Sequence, residues 1–184
     1  MTLQDLRIDS TWTLFLDRDG VINRRIMDDY VRTWDQFEFL AGVPEAIKLL
    51  AGIFGKIIVV SNQQGIGKGL MTENDVQQIH RRMTDEIVQA GGRIDAVYIS
   101  PYLHSDGSFM RKPNVGMALR SRRQFREISF NRSIMAGDSL SDMIFGKRAG
   151  MKTVLISPDA ELAKKHPRQI DYLYPDLISF VHAI

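Results

Sequence analysis

Short apolar runs alternate with longer amphipathic stretches along this chain. The first run, Thr11-Trp12-Thr13-Leu14-Phe15-Leu16, is rich in β-branched and aromatic residues and predicts a buried strand over about 11–16. Residues 20–42 mix aromatic and charged side chains without a period, so an irregular segment is expected there. A loop of that length in a compact domain is usually functional. A helix is predicted from near Pro44, carrying Ala46, Ile47, Leu49 and Leu50 until Gly55 breaks it. Ile57-Ile58-Val59-Val60 predicts a second strand. Thr72 and Asp75 have capping-box spacing ahead of Val76, Ile79, Met83, Ile87 and Ala90, which recur at helical spacing up to Gly91-Gly92. Further strands are predicted over Ile94–Ile99, Ser133–Ala136 and Thr153–Ile156. Helices are expected over about Asn114–Phe125 and Ser141–Ala149, a loop over 101–111, and one or two helices with a short edge strand near Tyr172 in the tail. Strands alternating with helices predict a doubly wound α/β fold on a mostly parallel sheet.

Length and composition narrow the picture. The chain has 184 residues, for which one domain over 1–184 is the default expectation. It is 44% hydrophobic and 25% charged, the composition of an ordinary globular protein. No cysteine is present, so disulfides and thiolate metal sites are excluded. A net charge of +2 makes no case for nucleic acid. No apolar run approaches the roughly 18 residues of a membrane span. The first residues lack a basic region followed by an apolar core, so a cytoplasmic protein is expected.

The first strand ends in Asp17-Arg18-Asp19-Gly20. In an open parallel sheet, ligands sit outside the carboxyl ends of the strands. Two close carboxylates delivered there are costly without a cation or a proton, and Mg²⁺ with substrate phosphate is the natural resolution. Three more polar clusters fall at strand ends or before helices: Ser61-Asn62-Gln63, Arg111-Lys112-Pro113 and Gly137-Asp138-Ser139-Leu140-Ser141-Asp142. Together they suit phosphoryl transfer. One carboxylate attacks phosphorus, a second moves the proton, a hydroxyl and a lysine hold the equatorial oxygens, and a further aspartate completes a metal site.

These motifs, in this order, resemble the haloacid dehalogenase superfamily of phosphatases. Phe15-Leu16-Asp17-Arg18-Asp19-Gly20-Val21-Ile22-Asn23 is similar to its histidinol-phosphatase and heptose-bisphosphate-phosphatase branch. So are Phe37–Val43, Ser61–Gly69 and Arg111-Lys112-Pro113, over about residues 12–157. The resemblance implies a Rossmann-like fold. It implies Asp17 as nucleophile and Mg²⁺ ligand, and Asp19 as general acid/base with its backbone carbonyl on the metal. Ser61 and Lys112 would bind the phosphoryl group, Asp138 would be the third protein ligand of Mg²⁺, and Asp142 would orient that set. Arg25, Asn62, Gln63, Arg111 and Ser139 are implied as substrate contacts. The implied activity is hydrolysis of a small phosphorylated metabolite by a monomer, with D-glycero-D-manno-heptose 1,7-bisphosphate, cleaved at the 7-phosphate, as the preferred substrate. Histidinol phosphate and nucleic-acid 3′-ends are alternatives, and a non-catalytic phosphate-binding relative is a further one.

The branch usually carries a zinc loop of cysteines and a histidine before its Arg-Lys-Pro. Here Ser100, Tyr102, Ser108 and Met110 fall at those positions, so no zinc is expected. About 40 residues separate the first and second motifs and about 50 the second and third, which leaves no room for a cap domain and predicts an open site. Gly65, Gly67 and Gly69 around Lys68 lack P-loop spacing. Arg120, Arg122, Arg123 and Arg126 read as a solvated helix face. His80, His166 and His182 carry no motif partner and read as surface or core.

Overall fold

A computed structural model describes residues 2–184. In chain order the elements are β1 (Thr13–Leu16), α1 (Val43–Ile53), β2 (Lys56–Asn62), the short α2 (Gln64–Gly67), α3 (Glu73–Gln89), β3 (Ala96–Ser100), α4 (Gly116–Gln124), β4 (Ser133–Gly137), α5 (Leu140–Ala149), β5 (Lys152–Ile156), α6 (Glu161–Lys165), β6 (Tyr172–Tyr174) and α7 (Leu177–His182). The strands form one parallel sheet in the order β3-β2-β1-β4-β5-β6.

The two-residue period of a strand decides the layers. Leu14 and Leu16 of β1 point to one face, with Ile57, Val59, Ile134 and Ala136, and are covered by Ala46, Ile47 and Leu50 of α1, Ile79, Met83 and Ile87 of α3, and Phe180 of α7. Phe15 points to the other face with Ile58, Val60 and Met135, under Met117 and Ala118 of α4 and Phe145 of α5. A strand buried on both faces reads as a continuous apolar run, which is what the sequence carries.

Three elements start two residues later than expected, each for a local reason. β1 begins at Thr13 because Trp12 spends its N–H on a turn to the Asp9 carbonyl (2.9 Å). β3 begins at Ala96. Before it, Asp95 donates its own N–H to the Ile57 carbonyl (2.8 Å), while its carboxylate accepts the Ile57 N–H (2.8 Å) in place of a backbone carbonyl. α4 begins at Gly116 because the residues before it turn instead, with Asn114 bonded to the Arg111 carbonyl (2.8 Å) and Gly116 to that of Phe109 (3.0 Å). The predicted capping box at Thr72 and Asp75 is present.

The chain lays β2 and β3 on one side of β1 and then β4 to β6 on the other. The reversal opens a crevice above the carboxyl ends of β1 and β4, where Asp17 and Asp138 follow the strands. Residues 17–42 contain only a 3₁₀ turn (Trp34–Gln36) and two isolated bridges, so the described residues place no cap domain over the crevice. Among the described residues no helix is long and apolar enough to cross a membrane.

Candidate active site

The crevice is a cleft of about 450 Å³ lined by Asp17, Asp19, Ser61, Lys112 and Ser139, with Arg25, Asn62, Lys68 and Arg111 among its other walls. Asp17 extends the pairing of β1 with β4 through its N–H to the Ala136 carbonyl (3.0 Å). Its Oδ1 accepts from the Arg18 N–H (2.7 Å) and from Lys112 Nζ (2.8 Å). Lys112 is buried, and its ammonium also pairs with Asp142 Oδ1 (2.6 Å) and donates to the Val60 carbonyl (2.8 Å), so it stands between two carboxylates. Burial opposes the charge on Lys112, but Asp142 and Asp17 outweigh it and raise its pKa. Asn62 fixes the backbone beneath, accepting the Lys112 N–H (3.0 Å) and donating to its carbonyl (3.1 Å).

Asp142 is shared between two tasks. One oxygen pairs with Lys112. The other accepts from Ser139 Oγ (2.5 Å) and the Ser139 N–H (3.1 Å), capping α5. Two glycines permit the crowding. A Cβ on Gly137 would lie 2.3 Å from that of Asp142, and one on Gly20, whose φ is +91°, would lie 1.8 Å from Asp138 Oδ2.

Asp19 faces the other way. It accepts from Arg18 Nη2 at both oxygens (2.8 and 2.9 Å), Arg18 Nε (3.2 Å), Asn23 Nδ2 (3.0 Å) and Gln63 Nε2 (3.0 Å). Burial raises its pKa, but the Arg18 charge and these hydrogen bonds outweigh it and leave the carboxyl below its ordinary value. Asp17 and Asp138 go the opposite way. Burial, then the Asp142 charge, pushes Asp17 up to about 6, and burial, then the Asp17 charge, pushes Asp138 up to about 7.

The donor set fits a hard divalent cation. One oxygen each from Asp17, Asp138 and Asp142 lies within 4.8 Å of the others. Asp142 is already committed, so Asp17 and Asp138 are the open pair. A cationic group stands on them: Arg25 Nη2 lies 2.8 Å from Asp138 Oδ1, 3.1 Å from the Asp19 carbonyl and 4.0 Å from Asp17 Oδ2. Those are the oxygens expected to hold Mg²⁺, and all-oxygen ligands with carboxylates suit that ion.

Two expected substrate contacts are engaged within the protein. Arg25 stands on the cleft wall and pairs with Asp138. Gln63 is 1% exposed and bonds Ser61 Oγ (2.8 Å) and Asp19, because its side chain turns under the end of β2. Arg111 lines the cleft, donating Nη1 to the Tyr102 carbonyl (3.0 Å) while its buried Nε has no partner. Lys68 and Tyr30, absent from the expected set, line it too, with Lys68 Nζ 5.2 Å from the Tyr30 ring. Arg18 and His80 were also missed. Continuing the period of Leu14 and Leu16 would have placed Arg18 toward the core, where a guanidinium needs acceptors.

The family model for polynucleotide kinase 3 phosphatase matches residues 12–177. The chain belongs to this phosphatase family. It is 44% identical over 137 residues to the D-glycero-alpha-D-manno-heptose-1,7-bisphosphate 7-phosphatase of Mycobacterium bovis, covering 74% of this chain and 72% of that one. It is 33% identical over 168 residues to the corresponding beta-heptose enzyme of Pasteurella multocida, covering 87% and 89%. The crystal structure of D,D-heptose 1,7-bisphosphate phosphatase from B. bronchiseptica, complexed with magnesium and phosphate, superposes with a TM-score of 0.81 at 28% identity, over 93% of this chain and 96% of that one. Phosphatases of this family are hydrolases of phosphoric monoesters with the haloacid dehalogenase fold, and this chain is one of them.

Two outcomes are expected for the metal site. Carboxyls whose pKa is raised in the native state bind more protons there than when unfolded. Their contribution to stability is therefore lost as pH rises from about 4 to about 7 in metal-free protein. A divalent cation replaces those protons, so Mg²⁺ should raise the melting temperature more at pH 8 than at pH 5, as read by scanning calorimetry of chelator-treated protein. Arg25→Ala removes a half-exposed competitor for the same oxygens. Calorimetric titration should then give a Kd for Mg²⁺ tighter by about 5-fold, the equivalent of about 1 kcal/mol for an exposed ion pair.

Proposed function

We propose that the chain is a Mg²⁺-dependent phosphatase that works through an aspartyl-phosphate on Asp17, with D-glycero-D-manno-heptose 1,7-bisphosphate as substrate and the 7-phosphate as the group removed. The observation that carries the mechanism is the pairing of Asp17 with the buried Lys112 ammonium at the sheet's reversal, beside a second carboxylate held apart from it. The substrate follows from the relatives' activity and from Arg111 and Lys68, two cations in a cleft that already has Lys112 for the transferred group.

In the first step the Asp17 carboxylate attacks phosphorus and the bond from phosphorus to the sugar oxygen breaks. Asp19 rests as the carboxylate that its donors favour, takes up the proton carried by the bound monoanionic ester and passes it to the departing oxygen. In the second step Asp19, now ionised, takes a proton from water, the water oxygen bonds phosphorus and the bond to Asp17 breaks. Phosphate leaves with that proton and Asp19 returns to the carboxylate. Lys112 and Ser61 hold the phosphoryl oxygens while charge moves, Asn62 fixes Lys112, and Ser139 presents its side chain at the start of α5. Asp17, Asp138 and the Asp19 carbonyl would hold Mg²⁺, which when bound offsets the repulsion between an anionic nucleophile and an anionic phosphate. A sugar bisphosphate does not cross membranes unaided, which supports a cytoplasmic place of action.

Asp17→Asn should abolish phosphate release from every substrate while the circular dichroism spectrum is unchanged. Activity above a few percent would remove Asp17 from the nucleophile role. Across heptose bisphosphate, histidinol phosphate and a 3′-phosphorylated oligonucleotide, wild-type kcat/KM should be highest for the bisphosphate.

Arg111→Ala separates the second phosphate from the first. Loss of a charged hydrogen bond, about 1.5–3 kcal/mol, should lower kcat/KM for the bisphosphate roughly 10- to 150-fold, mainly through KM. Acetyl phosphate, with nothing for Arg111 to hold, should be little affected. An equal loss on both would show that Arg111 does not read a second phosphate.

A further inference from the structure

Arg18 is the residue between the two reactive carboxylates, and it is fully buried. A buried guanidinium carries five N–H donors and is tolerated only when they are met. One edge of the fork, Nε and Nη2, faces Asp19. The other terminal nitrogen, Nη1, lies 3.0 Å from His80 Nε2, 62 residues along the chain. Arg18 can only donate, so Nε2 is the acceptor and the imidazole is the neutral tautomer with its proton on Nδ1. Burial, then the Arg18 charge, holds the His80 pKa down to about 3, in keeping with that form.

We propose that His80 is a positioning residue for the reaction, acting through Arg18 to set the orientation of the Asp19 carboxylate. The inference rests on the acid/base reading of Asp19 given above. His80 lies on α3 beside Ile79, with Ile79, Met83 and Ile87 locked into the core and the helix start fixed by its capping box. The imidazole is thus carried by a rigid element on one face of the sheet. It holds the far end of a planar fork whose near end grips Asp19 at both oxygens. A neutral acceptor is the one group that serves here. A carboxylate at position 80 would draw the guanidinium off Asp19, and an apolar side chain would leave Nη1 buried and unpaired. Asn23 and Gln63 bond Asp19 from their own side chains, so the fork completes a cage.

The test compares His80→Gln, whose amide oxygen can take the place of Nε2, with His80→Leu, which has no acceptor. p-Nitrophenyl phosphate is the probe, because its leaving group needs no proton in the first step, whereas attack of water in the second still needs Asp19. The amplitude of the nitrophenolate burst counts folded, competent sites, and the steady-state rate divided by that amplitude gives turnover per site. His80→Leu should keep KM within about 2-fold and lose turnover per site by about 10- to 100-fold, part of the 10²–10⁴ typical of acid–base catalysis. His80→Gln should stay within about 3-fold of wild type. A merely structural role would lower the amplitude and leave turnover per site intact, and that result overturns the proposal, as does equal loss in both variants. Should His80→Leu fail to fold, His80→Ala is measured with and without added imidazole: restored turnover per site supports the proposal and its absence overturns it. Asp17→Asn is the control. A burst that survives in it refutes the aspartyl-phosphate reading, whereas a silent control with a wild-type His80→Leu refutes the role of His80 alone.

Discussion

The ammonium of Lys112 is the contact on which the rest of the site depends. Asp17 and Asp142 lie close enough to repel, in a place where water cannot screen them, and the single buried cation between them makes that arrangement tolerable. Its third bond, to the Val60 carbonyl, ties the charge to the end of β2. Four parts of the chain that are distant in sequence are joined there: the end of β1, β2, the turn before α4 and the first turn of α5. Removing the ammonium would leave uncompensated charge in the interior, a more severe loss than that of a surface pair.

Around that contact the two carboxylates of the Asp-x-Asp motif are driven apart in character. Asp17 is buried among other acids and its pKa rises, whereas Asp19 sits in a cage of donors and its pKa falls. The two are two residues apart and would share a face in a strand, but β1 ends at Leu16 and the turn through Gly20 carries Asp19 into different surroundings. Asp19 has fixed donors, while the surroundings of Asp17 and Asp138 are completed only by a cation, for which the Arg25 guanidinium stands in.

Much of this was legible in the sequence. The apolar runs and their alternation with helices gave the layer structure, and Asp17, Asp138, Ser61 and Lys112 lie at strand ends or just before helices, where a parallel sheet exposes them. The capping of α5 by Asp142 went unread, since the helix starts one residue earlier than the expected Ser141 and takes Ser139 as its N-cap. The roles of Arg25 and Gln63 were not readable, because each depends on a partner brought near by folding: Asp138 lies 113 residues from Arg25, and Asp19 lies 44 from Gln63. His80 looked inert for the same reason. Nothing local marks a histidine among apolar helix positions as facing an arginine 62 residues earlier. Boundaries slipped where side chains replaced backbone pairing, as Asp95 does beside β3.

The cleft draws its reacting groups from strand ends and the first turns of helices, yet much of its wall comes from residues 25–31 and from Lys68 and Arg111. Foundation and facade are thus separate parts of the chain. Val31 and Ile26 are anchored in the core, but the polar wall residues lie outside the sheet and can be exchanged at small thermodynamic risk. For protein engineers, this divides the molecule into a chassis to be left alone and a short replaceable rim, where new ester preferences could be selected without rebuilding the machinery that breaks the bond.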